Sequence, residues 1–209
     1  MNENPPFPAY RIHTRRLVIR CWDPADAPLL QAAILESYDH LLPWMPWVRD
    51  EPEPIETKIA RLRRFRSQFD RDENYVYGIF DLEEKRVLGG SGLHPRVGPS
   101  ALEIGYWIHK DFINQGLATE TSAALTKTAF EVNRVRRMEI HCDPRNTRSA
   151  AVPNKLGYRL EATLRERFPQ SEESWVDSMI WTLFAEEYPK TAAFSAEVQA
   201  YDAGNRRIL

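Results

Sequence analysis

Cysteine is nearly absent from this chain. Cys21 and Cys142 are the only two in 209 residues, far apart and outside any CxxC spacing. That argues against a disulfide framework and against a structural zinc site. An excess of charge of one sign is also missing. The formal net charge is -2 and the pI is near 6.2, which gives no general attraction to nucleic acid or to an anionic membrane. Long apolar runs are lacking too: none approaches the roughly 20 residues needed to cross a bilayer, and the mean hydropathy is -0.52. The proline-rich start, residues 1–10, has neither the basic end nor the apolar stretch of a signal peptide. These absences lead us to expect a cytoplasmic protein with no metal, membrane or nucleic-acid partner. Any anionic ligand must then be held by local features.

What is present is ordinary for a globular protein, with a hydrophobic share of 43% and a charged share of 28%. One domain over residues 1–209 is expected, with its core at about 14–184 and a loosely packed tail at about 190–209. The alternation of His13–Trp22 predicts a strand, with Leu17 and Ile19 on one face and Val18 on the other. Asp23-Pro24 is a helix start, predicting a helix to about Ser37. Leu42-Pro-Trp-Met-Pro-Trp47 is kept from regular structure by its two prolines. Ile55, Ile59, Leu62, Phe65 and Phe69 recur at helical spacing over Pro54–Asp70, with Arg61, Arg63, Arg64 and Arg66 largely on the solvent side.

Further along, strands are predicted at Tyr75–Asp81, Arg86–Leu93, Ala101–Ile108 and Arg137–Cys142, and as a closing pair at Tyr158–Phe168 and Trp175–Leu183. Helices are predicted at Leu117–Val132 and Asn146–Leu156, the second stopping at Gly157. This order predicts an α/β (α+β) fold, a mixed sheet covered by helices on both faces.

The most informative stretch is Glu103-Ile-Gly-Tyr-Trp-Ile-His-Lys-Asp-Phe-Ile-Asn-Gln-Gly-Leu-Ala-Thr-Glu120. A strand ends near Ile108, and Gln115-Gly116-Leu117-Ala118 opens a helix. Small residues let the backbone approach a ligand, while the first turn offers unpaired N–H groups and the positive end of the dipole. That suits a pyrophosphate.

The same segment resembles the acetyl-CoA-binding motif of the GNAT superfamily, Gln/Arg-x-x-Gly-x-Gly/Ala. Glu103-Ile-Gly-Tyr-Trp and Gly116-Leu-Ala-Thr-Glu120 are similar to the RimJ/RimL branch, the ribosomal-protein N-acetyltransferases and their relatives. Asn146-Thr-Arg-Ser149 with Lys155-Leu-Gly-Tyr158 resembles a second block of that branch, and Leu42-Pro-Trp-Met-Pro-Trp47 its Trp-x-x-Trp loop. The likeness runs from about Thr14 to Phe184. Two departures stand out. Ile113 and Asn114 replace the usual Gln/Arg and Gly, and Pro153-Asn154 replaces an apolar residue and Glu. Because proline cannot donate to the carbonyl four residues back, a kink that leaves the Ser149 carbonyl free beside the thioester is expected.

The resemblance implies a GNAT fold with a mixed, mostly antiparallel sheet of about seven strands. It implies direct attack of a neutral amine on the thioester of acetyl-CoA in a ternary complex, with no metal. Gln115, Gly116, Leu117, Ala118 and Thr119 would hold the pyrophosphate, helped by Lys155, Lys110 and Arg148. The backbone of Trp107 and Ile108, with Asn146, would take the pantetheine. Glu103 is the candidate base, its carboxyl raised by apolar neighbours, though a structural pairing with an arginine is the competing reading. Ser149 would protonate the leaving thiolate, and Trp44 and Trp47 would line the pocket of the amine acceptor, a small molecule or a protein N-terminus. His94, His109 and His141 lack metal-ligand spacing, so structural or surface places are expected. Cys142 is expected to be a small buried residue. A homodimer is compatible with the branch. The alternatives are a non-catalytic acyl-CoA-binding module, a transferase for longer acyl chains, or an RNA-associated protein using the Arg61–Arg66 helix face.

Overall fold

The computed structural model describes residues 8–170 and 174–209. Nine strands form one sheet in the order β7-β8-β6-β5-β4-β3-β2-β1-β9. The strands are β1 (Arg11–His13), β2 (Val18–Cys21), β3 (Tyr75–Phe80), β4 (Val87–His94), β5 (Ala101–Ile108), β6 (Arg137–Cys142), β7 (Arg159–Pro169), β8 (Trp175–Phe184) and β9 (Gln199–Tyr201). The helices are α1 (Ala27–Glu36), α2 (Tyr38–Leu41), α3 (Ile55–Asp70), α4 (Leu117–Glu131) and α5 (Thr147–Lys155). Among the described residues only β5 and β6 pair in parallel; every other neighbouring pair is antiparallel.

The two faces carry different cores. Leu17, Ile19, Leu102, Ile104, Met138 and Ile140 turn toward Leu117, Ala124 and Leu125 of α4 and Val152 of α5. Val18, Trp22, Phe80 and Val87 turn the other way, onto Ala27, Leu30 and Ile34 of α1 and Leu62 of α3. This is the period-two alternation of half-buried strands, so the predicted opposition of Val18 to Leu17 and Ile19 holds.

The sheet has nine strands rather than about seven, for two local reasons. The single strand predicted over His13–Trp22 is a hairpin, because the Thr14 hydroxyl accepts from the Leu17 N–H at 3.1 Å while the Thr14 N–H donates to the Leu17 carbonyl at 3.0 Å. The tail expected to be loose is packed instead. β9 pairs with β1, Arg11 opposite Tyr201, Ala193 and Ala200 are fully buried, and the Lys127 amino group donates to the Phe194 carbonyl at 2.8 Å. A three-residue edge strand is too short to announce itself by periodicity.

Candidate functional site

The site arises where the parallel pair comes apart. β5 and β6 run in register only from Ala101 opposite Arg137 to Ile104 opposite Ile140. Beyond that point Gly105–Ile108 stays bonded to β4 alone, and His141 and Cys142 stay bonded to β8. Backbone groups on the facing edges are thereby released to a ligand. The β4 side holds this segment closely: a Cβ on Gly89 would lie 2.2 Å from the Trp107 carbonyl oxygen.

One cavity of about 480 Å³ opens on the α4–α5 side of the gap. Gly116, at φ +79°, caps α4. The first bond of the helix runs from the Glu120 N–H to the Gly116 carbonyl at 3.0 Å. The N–H groups of Leu117, Ala118 and Thr119 therefore precede the ladder, and these residues line the cavity at the positive end of the helix. Ile113 and Asn114 line the wall as well. Gln115 does not: its side chain donates to the Asp111 carbonyl and its own carbonyl accepts from Arg16, both at 3.0 Å. Arg148 and Lys155 line the cavity with exposed charges, whereas Lys110 is not part of the wall. These donors and cations fit a pyrophosphate-bearing ligand.

Asn146 is the N-cap of α5, its Oδ1 accepting from the Ser149 N–H at 3.1 Å. The capping bond uses only the oxygen, so the carboxamide NH₂ of this cavity-lining residue is left for a ligand. The Ser149 carbonyl is not free as expected. Pro153 withholds the helical N–H, and the Tyr106 hydroxyl donates to that carbonyl in its place at 3.0 Å. The same hydroxyl lies 3.1 Å from Ser149 Oγ. Burial pushes the Tyr106 phenol up, and the bond to Ser149 offsets only part of that, so the group stays a proton donor. Sequence reasoning passed over Tyr106; the alternation of β5, which sets it beside Ile104 and Ile108 toward α5, was the signal available.

A second cavity, of about 770 Å³, lies on the α1–α3 side. Trp44 and Trp47 line it, both half-buried, Trp47 edge-on to Trp107 with centroids 6.3 Å apart. The two cavities share Trp44, Met45, Tyr106, Trp107, Arg145 and Asn146. The two cavities therefore adjoin at the strand gap.

Glu103 stands on the wall of this second cavity and is 5% exposed. Arg96 grips it with two bonds, 2.6 and 2.8 Å. Burial pushes the carboxyl up, but the Arg96 hydrogen bonds and charge outweigh it, with His141 and His94 adding, and the net shift is downward. The raised carboxyl expected from apolar neighbours is thus corrected in favour of the competing arginine pairing, with Arg96 as the partner. A carboxyl lower in the fold than in the unfolded chain adds stability above the unfolded value, and that stability is lost as pH falls through the folded one. The urea midpoint should therefore fall as pH drops from about 5 toward 3. Arg96→Gln should flatten that fall, and parallel pH curves for the two proteins would show that the pair does not form in solution.

Of the other histidines, His94 is driven down to about 4 by burial, then by Arg96, and its Nδ1 lies 2.7 Å from Asn74 Oδ1. His109 engages Glu36 at 3.1 Å and accepts from the Asp111 N–H at 3.2 Å, which occupies both ring nitrogens. Cys142 is buried, and that burial raises its thiol. Among the described residues no helix is long and apolar enough to cross a membrane.

Comparison with known proteins agrees with this geometry. The chain is 27% identical over 182 residues to the [ribosomal protein uS5]-alanine N-acetyltransferase of Escherichia coli, covering 84% of this chain and 91% of that one. Its fold matches Mycobacterium smegmatis RimJ in complex with CoA-disulfide, with TM-score 0.76, 22% identity and coverage of 90% and 94%. It also matches the RimL ribosomal L7/L12 alpha-N-protein acetyltransferase in complex with coenzyme A, with TM-score 0.73, 20% identity and coverage of 86% and 97%. Residues 16–159, from the β1–β2 turn through the split pair to the start of β7, match the model of the Acetyltransferase (GNAT) domain, so the chain belongs to the GNAT acetyltransferase family.

Proposed function

We propose that this acetyl-CoA-dependent N-acetyltransferase acts, as one catalytic domain, on the N-terminal amine of a protein, which enters through the Trp44–Trp47 cavity. The observation that carries the reading is the meeting of the two cavities at Tyr106 and Trp107. An acceptor cavity of about 770 Å³ has room for several residues of a peptide, and the E. coli relative is named for an alanine of a ribosomal protein.

In this reading the N–H groups of Leu117, Ala118 and Thr119 hold the pyrophosphate, and Lys155 and Arg148 neutralise it from the rim. The Asn146 amide and the open edge at Trp107 and Ile108 take the pantetheine. Acetyl-CoA supplies the acetyl group as a thioester. Holding the amine against it removes much of the barrier through positioning alone. Ser149 Oγ, with Tyr106 behind it, protonates the departing sulfur. Glu103 stays ionised and, as an acceptor-only group, orients an N–H of the incoming neutral amine directly or through water.

The test is thiol release from acetyl-CoA with peptides bearing free Ala or Ser N-termini, beside the same peptides blocked and a set of small amines. Release with the free peptides alone is expected, and Ser149→Ala should lower kcat by about a hundredfold with acetyl-CoA affinity retained. Faster release with small amines would replace the acceptor. Tight binding with no release for any amine would leave only an acyl-CoA-binding module.

A further inference from the structure

We propose that His141 is the proton acceptor for the attacking amine, held ready by Glu139; the assignment rests on the transferase reading above. β6 alternates, so Met138, Ile140 and Cys142 enter the core toward α4 while Glu139 and His141 turn to the acceptor side. The parallel register sets Glu139 directly opposite Glu103, and two carboxylates so placed repel unless cations intervene. Arg96 takes Glu103 at 2.6 Å and Arg137 takes Glu139 at 2.7 Å. His141 Nε2 lies 2.7 Å from Glu139 Oε2, a contact that fixes the neutral ring with hydrogen on Nε2 and the lone pair on Nδ1.

That Nδ1 is 3.7 Å from Glu103 Oε2, beyond hydrogen-bonding distance, and has no hydrogen-bond partner among the described residues. The ring is 16% exposed and lines the acceptor cavity beside the strand gap. A ring nitrogen with an unshared lone pair, on a side chain that lines the cavity, is what an amine must meet to lose its proton. Glu103 has its oxygens engaged by two Arg96 hydrogen bonds, and its carboxyl is held below its usual value. The charged and titratable groups around the ring are Glu103 on β5, Arg96 and His94 at the end of β4, Glu139 and Arg137 on β6, and Asp143 with Arg145 just beyond it.

The step balances. The amine nitrogen gives its lone pair to the acetyl carbon and one proton to Nδ1. The C–S pair leaves with sulfur, the thiolate takes the Ser149 hydroxyl proton, which solvent replaces, and the imidazolium returns its own proton to solvent.

Two measurements test the assignment. In the first, the pH profile of kcat/KM for an accepted peptide is recorded for the parent, His141→Gln and Glu139→Gln. His141→Gln should lose about a hundredfold in kcat and its acid limb, with acetyl-CoA binding intact. Glu139→Gln, a change at a positioning residue, should move the acid limb to lower pH, because removing the anion disfavours the charged ring. A His141→Gln protein that keeps the limb and falls less than about threefold would overturn the assignment. Failure of the parent to release thiol would instead sink the transferase reading. The second measurement needs no turnover: ring-nitrogen NMR should find neutral His141 protonated on Nε2. A ring protonated on Nδ1 ends the proposal whatever the kinetics show.

Discussion

Lys58→Met should cost about 3–5 kcal/mol of folding stability, the figure typical of breaking a buried ion pair from one side. Lys58 and Glu51 are each 0% exposed through their side chains and bonded to one another. Glu53 adds a second contact to Lys58 at 3.1 Å and receives Arg61 at 2.6 Å. The long stem of Lys58 threads α3 into the segment that follows Trp44 and Trp47. Methionine fills a similar volume, so little of the loss comes from a cavity. It comes from leaving Glu51 buried without a cation.

Equilibrium urea denaturation reads the change. A loss under about 1 kcal/mol, the scale of an exposed pair, would mean that water reaches Glu51 in solution. Adding Glu51→Gln to Lys58→Met should recover part of the loss, because the stranded charge is gone. Because Arg61 of this cluster lines the cavity proposed for the acceptor, the single variant should also bind acceptor peptide more weakly while acetyl-CoA affinity is kept.

This cluster also marks where the sequence stopped being legible. The apolar spacing of α3 was readable at once, since Leu62 and Phe69 are fully buried and the predicted span differs from the observed one by a single residue. β5 and β6 were readable to the residue, because alternation and flanking turn residues are local signals. What periodicity does not carry is which charges meet. Lys58 sits on α3 with Arg61, Arg63, Arg64 and Arg66, of which Arg63 and Arg64 are exposed, and nothing nearby in sequence distinguishes it from them.

The same limit applies at the site. The α4 start was found from Gly116 and the small residues after it, a local signal. Glu103 was found too, but its partners come from the β4–β5 connection and from β6, set beside it by a parallel register that no spacing encodes. Tyr106 and His141 were both visible as strand residues. Their chemistry came into view only when the sheet placed one against Ser149 and the other between two carboxylates.

Gly116→Asp offers the sharpest separation of fold from ligand. At φ +79° most side chains are strained, but aspartate and asparagine tolerate this region. A Cβ there would meet only Arg16 Nη2, at 3.7 Å, so space is available. An aspartate at the N-cap accepts from the first turn and complements the helix dipole. Folding stability should therefore hold or rise slightly.

Acetyl-CoA should fare differently, since the new carboxylate occupies the place offered to the pyrophosphate. Two like charges about 4 Å apart repel by roughly 4 kcal/mol at an effective dielectric of 20, close to a thousandfold in affinity. Gly116→Asn is the control, with the same shape and backbone but no charge, and should lose about tenfold or less. Calorimetric titration of acetyl-CoA beside thermal melts of all three proteins reads both quantities. Equal losses for Asp and Asn would mean that bulk, not charge, governs the position. Unchanged affinity in both would place the pyrophosphate elsewhere than at the start of α4.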